Sequence, residues 1–206
     1  MAGGGGGSFT LPPPPYDREF NDGLIGDMWA SGGVDFGATT PGRVHLASGQ
    51  GVIIPGLPAY PFRVEAFCSF AQFTDIDTYA AGVGIGPCEI VPFGSPGPKS
   101  WGIDIDVDTL GMTCMFDGRW DDFTHQTGHF GWTGGRTYDE TAGLRWEIPF
   151  WTRYDAHSAT DWDAYFSEDG STWTAYRLGV DPGLTPAGLF IMSYAAVSEW
   201  DWVRFT

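Results

Sequence analysis

Short runs of apolar, aromatic and β-branched residues alternate along the chain with turn-forming residues, and this spacing limits what the chain can fold into. The runs recur roughly every 10–15 residues and are separated by Gly, Pro, Asp and Ser. No window places apolar residues at the i, i+3, i+4, i+7 spacing of an amphipathic helix between proper caps. The pattern predicts an all-β, antiparallel sandwich rather than βαβ units.

Nine of these runs are predicted to be strands because they are rich in β-branched and aromatic residues. They are residues 62–73, 79–85, 101–107, 111–116, 144–150, 161–166, 172–177, 188–195 and 200–205. The sequence at 168–171 contains the dipeptide Asp169-Gly170, which is typical of a hairpin turn. We therefore expect a hairpin between the strands at 161–166 and 172–177.

The charge balance excludes two classes of partner. The 206 residues include 26 acidic and 10 basic side chains, for a net charge of −16, and Lys99 is the single lysine. Nucleic-acid affinity comes mainly from Lys and Arg on phosphates, and anionic lipid attracts the same residues. We expect no nucleic-acid partner and no membrane partner, and no apolar run has the ~18–20 residues of a transmembrane helix.

The three cysteines, Cys68, Cys88 and Cys114, are odd in number, and none lies in a CxxC pair. Both observations argue against a disulfide framework and against a zinc site. The sequence predicts that they are small buried side chains.

The first sixteen residues differ in composition from the rest and are predicted to form an arm (residues 1–16) that precedes one sandwich domain (17–206). The arm contains five consecutive glycines and four consecutive prolines, which favour a flexible segment followed by a stiff extended spacer. Two interpretations stay open: a disordered tail, or an arm that orders against neighbouring copies, with a trimer as the preferred assembly. The residues expected to anchor such an arm are Phe9, Leu11, Pro12 and Pro15.

The same segment lacks the features of an export signal. Residues 1–15 contain no Lys or Arg and no apolar stretch. The body is nevertheless acidic, rich in Trp and poor in Lys, as extracellular β proteins are. We therefore expect a virion protein, made in the host cytoplasm and released by lysis, whose partners are other virion proteins and copies of itself.

Both ends of the body carry motifs that resemble a known family. The predicted hairpin turn and the strand after it contain Ser167, Asp169, Gly170, Trp173 and Thr174. The last predicted strand contains Asp201, Trp202, Val203 and Arg204. Near the start of the body, residues 17–29 place an Asp-x-x-Phe before a Trp. These segments resemble the concanavalin A-like lectin/glucanase superfamily in its laminin G-like and glycosidase-appended forms, which also occurs in phage minor tail and other virion proteins. The resemblance implies a jelly-roll sandwich, and it implies less about function because this fold hosts enzymes, lectins and inert spacers.

An acidic ladder at 101–108 is the candidate for catalysis or for a metal. Asp104, Asp106 and Asp108 alternate with apolar residues and so share one face of a strand. Retaining glycoside hydrolysis needs two carboxyl groups ~5 Å apart, and hydrolytic members of the superfamily use a Glu-x-Asp-x-Glu-like run, whereas this ladder has no Glu. We therefore expect no enzymatic activity. Two interpretations of the ladder remain: a solvated face, or a calcium site, since calcium binds clustered carboxylates. No other cofactor is expected.

Aromatic and acidic residues concentrate at 120–138, and a second aromatic cluster lies at 150–162. Sugars stack their C–H faces on aromatic rings while carboxylates accept from their hydroxyl groups. The candidate carbohydrate-binding residues are Trp120, Asp121, Asp122, Trp132, Tyr138, Trp151 and Tyr154.

The function expected from the sequence is a non-enzymatic phage virion subunit, in a minor tail, in a tail tip or as capsid decoration. Its sandwich would serve assembly and adhesion to a host-surface glycan. The alternative is a free carbohydrate-binding module or a glycosidase-related domain.

Overall fold

Two antiparallel sheets make up the computed structural model, and its described residues contain sixteen strands. The residues that the structure describes are 16–19, 29–30, 33–36, 42–73, 82–90, 100–107, 113–119, 130–131, 145–146, 150–167, 169–194 and 196–206. Within them, no helix has the length and apolar character needed to cross a membrane. The predicted all-β, antiparallel class is confirmed.

The strands are numbered in chain order. They are β1 (Tyr16–Glu19), β2 (Trp29–Ala30), β3 (Asp35–Phe36), β4 (Val44–Leu46), β5 (Gln50–Pro55), β6 (Phe62–Phe73), β7 (Gly82–Cys88), β8 (Trp101–Val107), β9 (Thr113–Arg119), β10 (Phe130–Gly131), β11 (Arg145–Trp146), β12 (Phe150–Ser158), β13 (Asp161–Ser167), β14 (Thr174–Val180), β15 (Gly188–Tyr194) and β16 (Ala196–Phe205).

The larger sheet is ordered β14-β13-β12-β6-β16-β4-β3, with β1 paired to β16 and β11 paired to β6. The smaller sheet is ordered β10-β9-β8-β7-β15-β5-β2. β1 begins at Tyr16, which pairs with Phe205, so the sheet includes the last residue that the sequence assigned to the arm. The first and last described strands therefore lie side by side.

Alternation along β12 shows why the larger sheet has one buried face. Phe150, Thr152, Tyr154 and Ala156 point into the core and are at most 2% exposed, while the residues that alternate with them point outward. Because side chains alternate between the two faces of a strand, β12 presents Trp151, Arg153, Asp155 and His157 on the side away from the core, called here the outer face. A hydrogen bond from the Tyr154 hydroxyl to the Ile85 carbonyl joins the two sheets across the core.

Two glycines let the central strands of the smaller sheet approach closely. A Cβ atom on Gly86 would lie 1.8 Å from the Trp101 carbonyl oxygen, and one on Gly102 would lie 2.4 Å from the Ile85 carbonyl oxygen. Real Cβ atoms do not come this near to backbone, so β7 and β8 keep their spacing only because both positions lack a side chain.

The strand prediction missed β10, most of β12 and all five strands that precede β6. The sequence put a strand at 144–150, where β11 lies, but none at 151–160, whereas β12 covers Phe150–Ser158 and is central to the larger sheet. The sequence also missed β5, in which Val52, Ile53 and Ile54 are all fully buried. A strand buried on both faces shows no alternation, which explains why β5 gave no period-two signal.

Cys68 and Cys88 are free thiols, and both are buried. Burial raises the pKa of the Cys88 thiol, and the neighbouring carboxylate of Glu89 adds to the shift. Such a thiol is unreactive because the thiolate is the reactive form.

We therefore expect the melting temperature to be the same with and without a reductant. Removing a native disulfide costs about 2–5 kcal/mol, which corresponds to a fall of about 4 °C or more for a domain of this size. Thermal unfolding followed by circular dichroism in both conditions checks this, and a fall of that size would contradict the free-thiol assignment.

Candidate functional site

Most of the candidate site and arm residues that were predicted from the sequence lie outside the described residues. These are Trp120, Asp121, Asp122, Trp132, Tyr138 and Asp108, together with Phe9, Leu11, Pro12 and Pro15 of the arm. Asp104 and Asp106 occupy register positions in β8 opposite Gly84 and Gly82 of β7. The sugar-binding and calcium interpretations of these residues stay predictions.

Tyr154 was wrongly assigned to a binding surface. It is 1% exposed and packs edge-on against Trp101 and Trp162, with ring centroids 5.8 and 6.2 Å away. Phe150 and Trp162 of the same predicted cluster are also in the core. The alternation of β12 buries Tyr154 and turns Trp151 outward, so Trp151 is the member of this cluster that reaches the outer face.

Trp151 has little open ring face for a sugar. One face stacks on Phe67 with centroids 4.5 Å apart and planes 16° apart, and Phe67 in turn contacts Trp202 at 5.9 Å. A Cβ atom added to Gly170 would lie 3.1, 3.2 and 3.4 Å from the Cε2, Nε1 and Cδ2 atoms of the Trp151 indole. A point almost equidistant from these three atoms lies over the ring, so the Gly170 turn covers the indole. The outer aromatic residues therefore pack mainly against one another.

The turn over Trp151 is fixed by its own side chains. Asp169 accepts hydrogen bonds from the backbone N–H groups of Thr172 and Ser171 at 2.6 and 2.8 Å, and these bonds hold the pKa of its carboxyl well below the ordinary value. Gly170 adopts φ = 70°, in the left-handed region that favours glycine. The predicted Asp-Gly hairpin is thus confirmed between β13 and β14.

Gly170→Ala should destabilise the protein by more than the ~1–2 kcal/mol of backbone strain that an L-residue meets at this φ, because the new methyl group must also push the Trp151 ring away. Urea unfolding measures the change. Gly179→Ala is the control, since Gly179 has φ = 64° but its added Cβ comes no nearer than 3.9 Å to the Asp161 carboxylate. Equal losses in the two variants would contradict the contact with Trp151.

Arginine side chains lie over the rings beside these aromatics. The Arg153 guanidinium carbon lies 4.1 Å from the centroid of Tyr165 and 5.0 Å from that of Trp173, and the Arg204 carbon lies 4.0 Å from that of Trp202. Contacts of this kind contribute about 0.5–1 kcal/mol at exposed sites. They stabilise the outer face and take up ring surface that a ligand would need.

A pocket lies at one end of the larger sheet and has both polar and apolar walls, and we call it the end pocket. It has a volume of about 360 Å³ and lies where β6 and β16 meet the C-terminal half of β12. Its walls are formed by Pro61, Phe62, Arg63, Asp155, Ala156, His157 and Thr206.

The end pocket carries hydrogen-bonding groups that are held in place by ion pairs. Arg63 donates two hydrogen bonds to Asp155, at 2.6 and 3.0 Å, and Arg153 donates to the same carboxylate at 3.3 Å. The Arg63 side chain is 43% exposed and the His157 side chain is 50% exposed, so both reach solvent. The sequence analysis missed Asp155 and His157, and their alternate positions along β12 are the sequence signal that could have found them.

Asp163 fixes the orientation of His157. Its Oδ2 lies 3.1 Å from Nε2 of His157, and its Oδ1 accepts the backbone N–H of Gly179 at 2.8 Å. Burial acts to raise the pKa of Asp163, but the hydrogen bonds from His157, Gly179 and Tyr165 outweigh it and keep that pKa below its ordinary value. In return, the hydrogen bond to Asp163 raises the pKa of His157.

The His157 imidazole should therefore titrate above 6.5 in an NMR titration, and its pKa should fall when Asp163 is replaced by Asn. A histidine whose pKa is raised by folding contributes stability that is fully present below the unfolded pKa of about 6.5 and is lost as the pH rises through the folded value. A His157 pKa that does not respond to Asp163→Asn would contradict the contact.

A second polar cluster lies on the outer face beside β4. Arg43 contacts Glu199 at 3.0 Å and Asp201 at 2.7 Å, and Ser69 donates to Asp201 at 2.7 Å. His45 lies 3.5 Å from Glu199. No group of three or more His, Cys, Asp or Glu side chains in the described ranges is arranged to hold a metal ion. This cluster is a set of mutually satisfied charges, and it serves below as a control.

Known structures show what this architecture is similar to. The chain superimposes on a lectin from Bauhinia forficata solved in complex with GalNAc (TM-score 0.55, 9% identity, 93% of this chain and 98% of that chain). It also matches lectin I-B4 from Griffonia simplicifolia in its metal-free form (TM-score 0.53, 10% identity, 93% and 98%).

A third match is the GH43 BlXynB protein from Bacillus licheniformis (TM-score 0.53, 12% identity), where the match includes 97% of this chain but only 40% of the other. No sequence profile of a known protein family matches the chain, and no curated protein matches it in sequence. Identities this low bear on fold alone. The chain has the antiparallel sandwich fold of these lectins.

Proposed function

We propose that this protein is a non-enzymatic glycan-binding subunit and that the end pocket takes the sugar. One observation carries the proposal: Arg63, Asp155 and His157 line an open pocket beside the apolar ring of Pro61. Sugar hydroxyls accept hydrogen bonds from guanidinium and imidazole N–H groups and donate to carboxylates, and sugar C–H faces pack on apolar rings. The ion pair between Arg63 and Asp155 orients donor and acceptor before the ligand arrives.

The chemistry of the pocket favours binding over hydrolysis. Glycoside hydrolysis uses two carboxyl groups, one of which must donate a proton. Asp155 is the one carboxylate side chain among the described residues that line the pocket, and it accepts hydrogen bonds from both Arg63 and Arg153. A carboxylate held in this way accepts hydrogen bonds from a ligand.

We place the protein in a phage virion, as a minor tail or tail-tip subunit or as capsid decoration. The acidic, Lys-poor body and the Gly/Pro-rich arm support this placement, with other virion proteins and copies of the chain as partners. Mass spectrometry and imaging of purified particles test it. A protein that binds glycans but is absent from particles would instead be a free carbohydrate-binding module.

Glycan binding is tested with immobilised β-glucans and galactans and a panel of neutral and acidic oligosaccharides. We expect binding to at least one of them, without release of product from any. His157→Ala should weaken that binding about tenfold or more, because a hydrogen bond to a charged group contributes about 1.5–3 kcal/mol.

His45→Ala is the matched control, since His45 also pairs with a carboxylate on the outer face but lies in the Arg43 cluster. Its affinity should equal that of the wild type. Binding to no member of the panel, or equal losses in the two variants, would overturn the assignment of the end pocket. Turnover that is abolished by Asp106→Asn would overturn the non-enzymatic assignment.

A further inference from the structure

Asp163 is not among the described residues that line the end pocket, yet it holds one of the groups that does. Its Oδ2 lies 3.1 Å from Nε2 of His157 and also accepts a hydrogen bond from the Tyr165 hydroxyl at 3.3 Å. Its Oδ1 accepts the backbone N–H of Gly179 at 2.8 Å. Both oxygens are therefore engaged, and they fix the Asp163 carboxylate in one orientation against the ring.

This contact decides which ring nitrogen of His157 carries a proton. The pKa of Asp163 lies below its ordinary value, so Asp163 is ionised at neutral pH, and an ionised carboxylate accepts hydrogen bonds but cannot donate them. The neutral imidazole therefore keeps its proton on Nε2. Nδ1 has no partner among the residues that the structure describes, so Nδ1 is the ring nitrogen left for a ligand.

Protonation changes what Nδ1 offers to a sugar. On the neutral ring Nδ1 is a lone pair that accepts a hydrogen bond, whereas on the imidazolium ring it is an N–H that donates a charge-assisted one. A hydrogen bond to a charged group contributes more than a neutral one, and the difference corresponds to about fivefold or more in affinity.

The surroundings of His157 favour the imidazolium form. The hydrogen bond to Asp163 raises the pKa of His157, burial opposes this, and the negative charges of Asp163, Asp161 and Asp155 add to the rise. Arg63 and Arg153 both contact Asp155, so their positive charges are already paired. The charged and titratable groups around His157 on its own strand and on the two strands beside it are Arg153 and Asp155 of β12, Asp161, Asp163 and Tyr165 of β13, and Arg63 and Glu65 of β6.

We propose that Asp163 is a positioning residue that keeps the proton on Nε2 of His157 and thereby makes sugar binding in the end pocket depend on pH. This inference rests on the proposed function, in which the end pocket takes the sugar. Affinity is highest where His157 is protonated and falls as the pH rises through its titration. Because such coupling is reciprocal, a bound sugar in turn favours the protonated ring.

NMR of the full-length protein tests the position of the proton without any sugar. The ¹⁵N chemical shifts of the His157 ring should identify Nε2–H as the neutral tautomer in the wild type. In Asp163→Asn, the amide oxygen stays on the Gly179 N–H and the NH₂ group faces Nε2, so the neutral tautomer should become Nδ1–H.

Asp161→Asn is the matched control for this measurement. It removes an equal charge from the same strand, but Asp161 acts on His157 through its charge alone, so the Nε2–H tautomer should remain. An Nδ1–H tautomer in the wild type, or a tautomer that Asp163→Asn leaves unchanged, would overturn the proposal.

Calorimetry from about pH 6 to about pH 9 measures the pH dependence, with the tightest-binding neutral β-glucan or galactan oligosaccharide as the probe. A neutral sugar has no group that titrates in this range, so the pH dependence belongs to the protein. We expect the wild-type affinity to fall about fivefold or more across the range. In Asp163→Asn, whose neutral ring still donates from Nδ1, the change should be less than about twofold.

Linkage gives a second measure of the same coupling. A fivefold difference in affinity requires that the bound sugar raise the pKa of His157 by about 0.7. Wild-type affinity that stays constant across the range, or an equal fall in Asp163→Asn, would overturn the proposal while leaving glycan binding intact. Binding of no sugar would overturn the pH dependence together with the proposed function, whereas the tautomer result is independent of both.

Discussion

Gly86→Ala is expected to abolish the folded sandwich. The added Cβ would lie 1.8 Å from the Trp101 carbonyl oxygen and 2.5 Å from the Gly102 Cα, and both are backbone atoms of the neighbouring strand. Relief requires β7 and β8 to separate in the centre of the smaller sheet. We expect a loss of more than ~5 kcal/mol, which reaches the whole stability of many domains.

Circular dichroism and thermal unfolding measure this loss, and Gly49→Ala is the control. Gly49 has φ = 76°, but a Cβ there meets nothing within 4 Å. Its substitution therefore costs only the backbone strain, about 1–2 kcal/mol. If Gly86→Ala unfolds within about 1 kcal/mol of the control, the close approach of β7 and β8 is wrong.

Trp162→Ala is expected to cost about 3–5 kcal/mol, in the range for removing a large aromatic ring from a core. The Trp162 side chain is fully buried. It packs edge-on against Phe62 at 5.5 Å and against Tyr60 and Tyr154 at 6.2 Å. Its removal leaves a cavity among three rings, and urea unfolding measures the cost.

Trp162→Phe separates ring packing from hydrogen bonding. The indole Nε1 is buried with no hydrogen-bond partner among the residues that the structure describes. Phenylalanine therefore keeps much of the packing and gives up no hydrogen bond, so its loss should be well below that of alanine. Equal losses for Phe and Ala would contradict the predicted role of the ring.

The sequence predicted those parts of the fold that depend on local chemistry. The bounds 62–73 and 101–107 were predicted to the residue, because each run is bordered by turn-forming residues. The hairpin at Asp169-Gly170 was predictable because the interactions that form it are local. The Asp169 carboxylate accepts hydrogen bonds from residues up to three positions later, and Gly170 adopts the positive φ of the turn. β12 was missed because its inward positions include the weakly apolar Thr152 and Ala156, which blur the alternation.

The end pocket was not predictable in the same way. Its walls come from 61–63, 155–157 and 206, which meet only because β6 pairs with both β12 and β16. That pairing is set by register between strands about a hundred residues apart, and no local pattern encodes it. Tyr154 was mispredicted for the same reason. Its aromatic side chain suits a sugar site, but its position in the register of β12 buries it.

The central claim is that the end pocket binds the glycan, and a crystal structure with the tightest ligand of the panel tests it most directly. We predict the sugar against Pro61, with hydroxyl groups on Arg63, Asp155 and His157. A sugar seated instead on the segment 120–138, with the end pocket free of ligand, would contradict the account and restore the aromatic site predicted from the sequence.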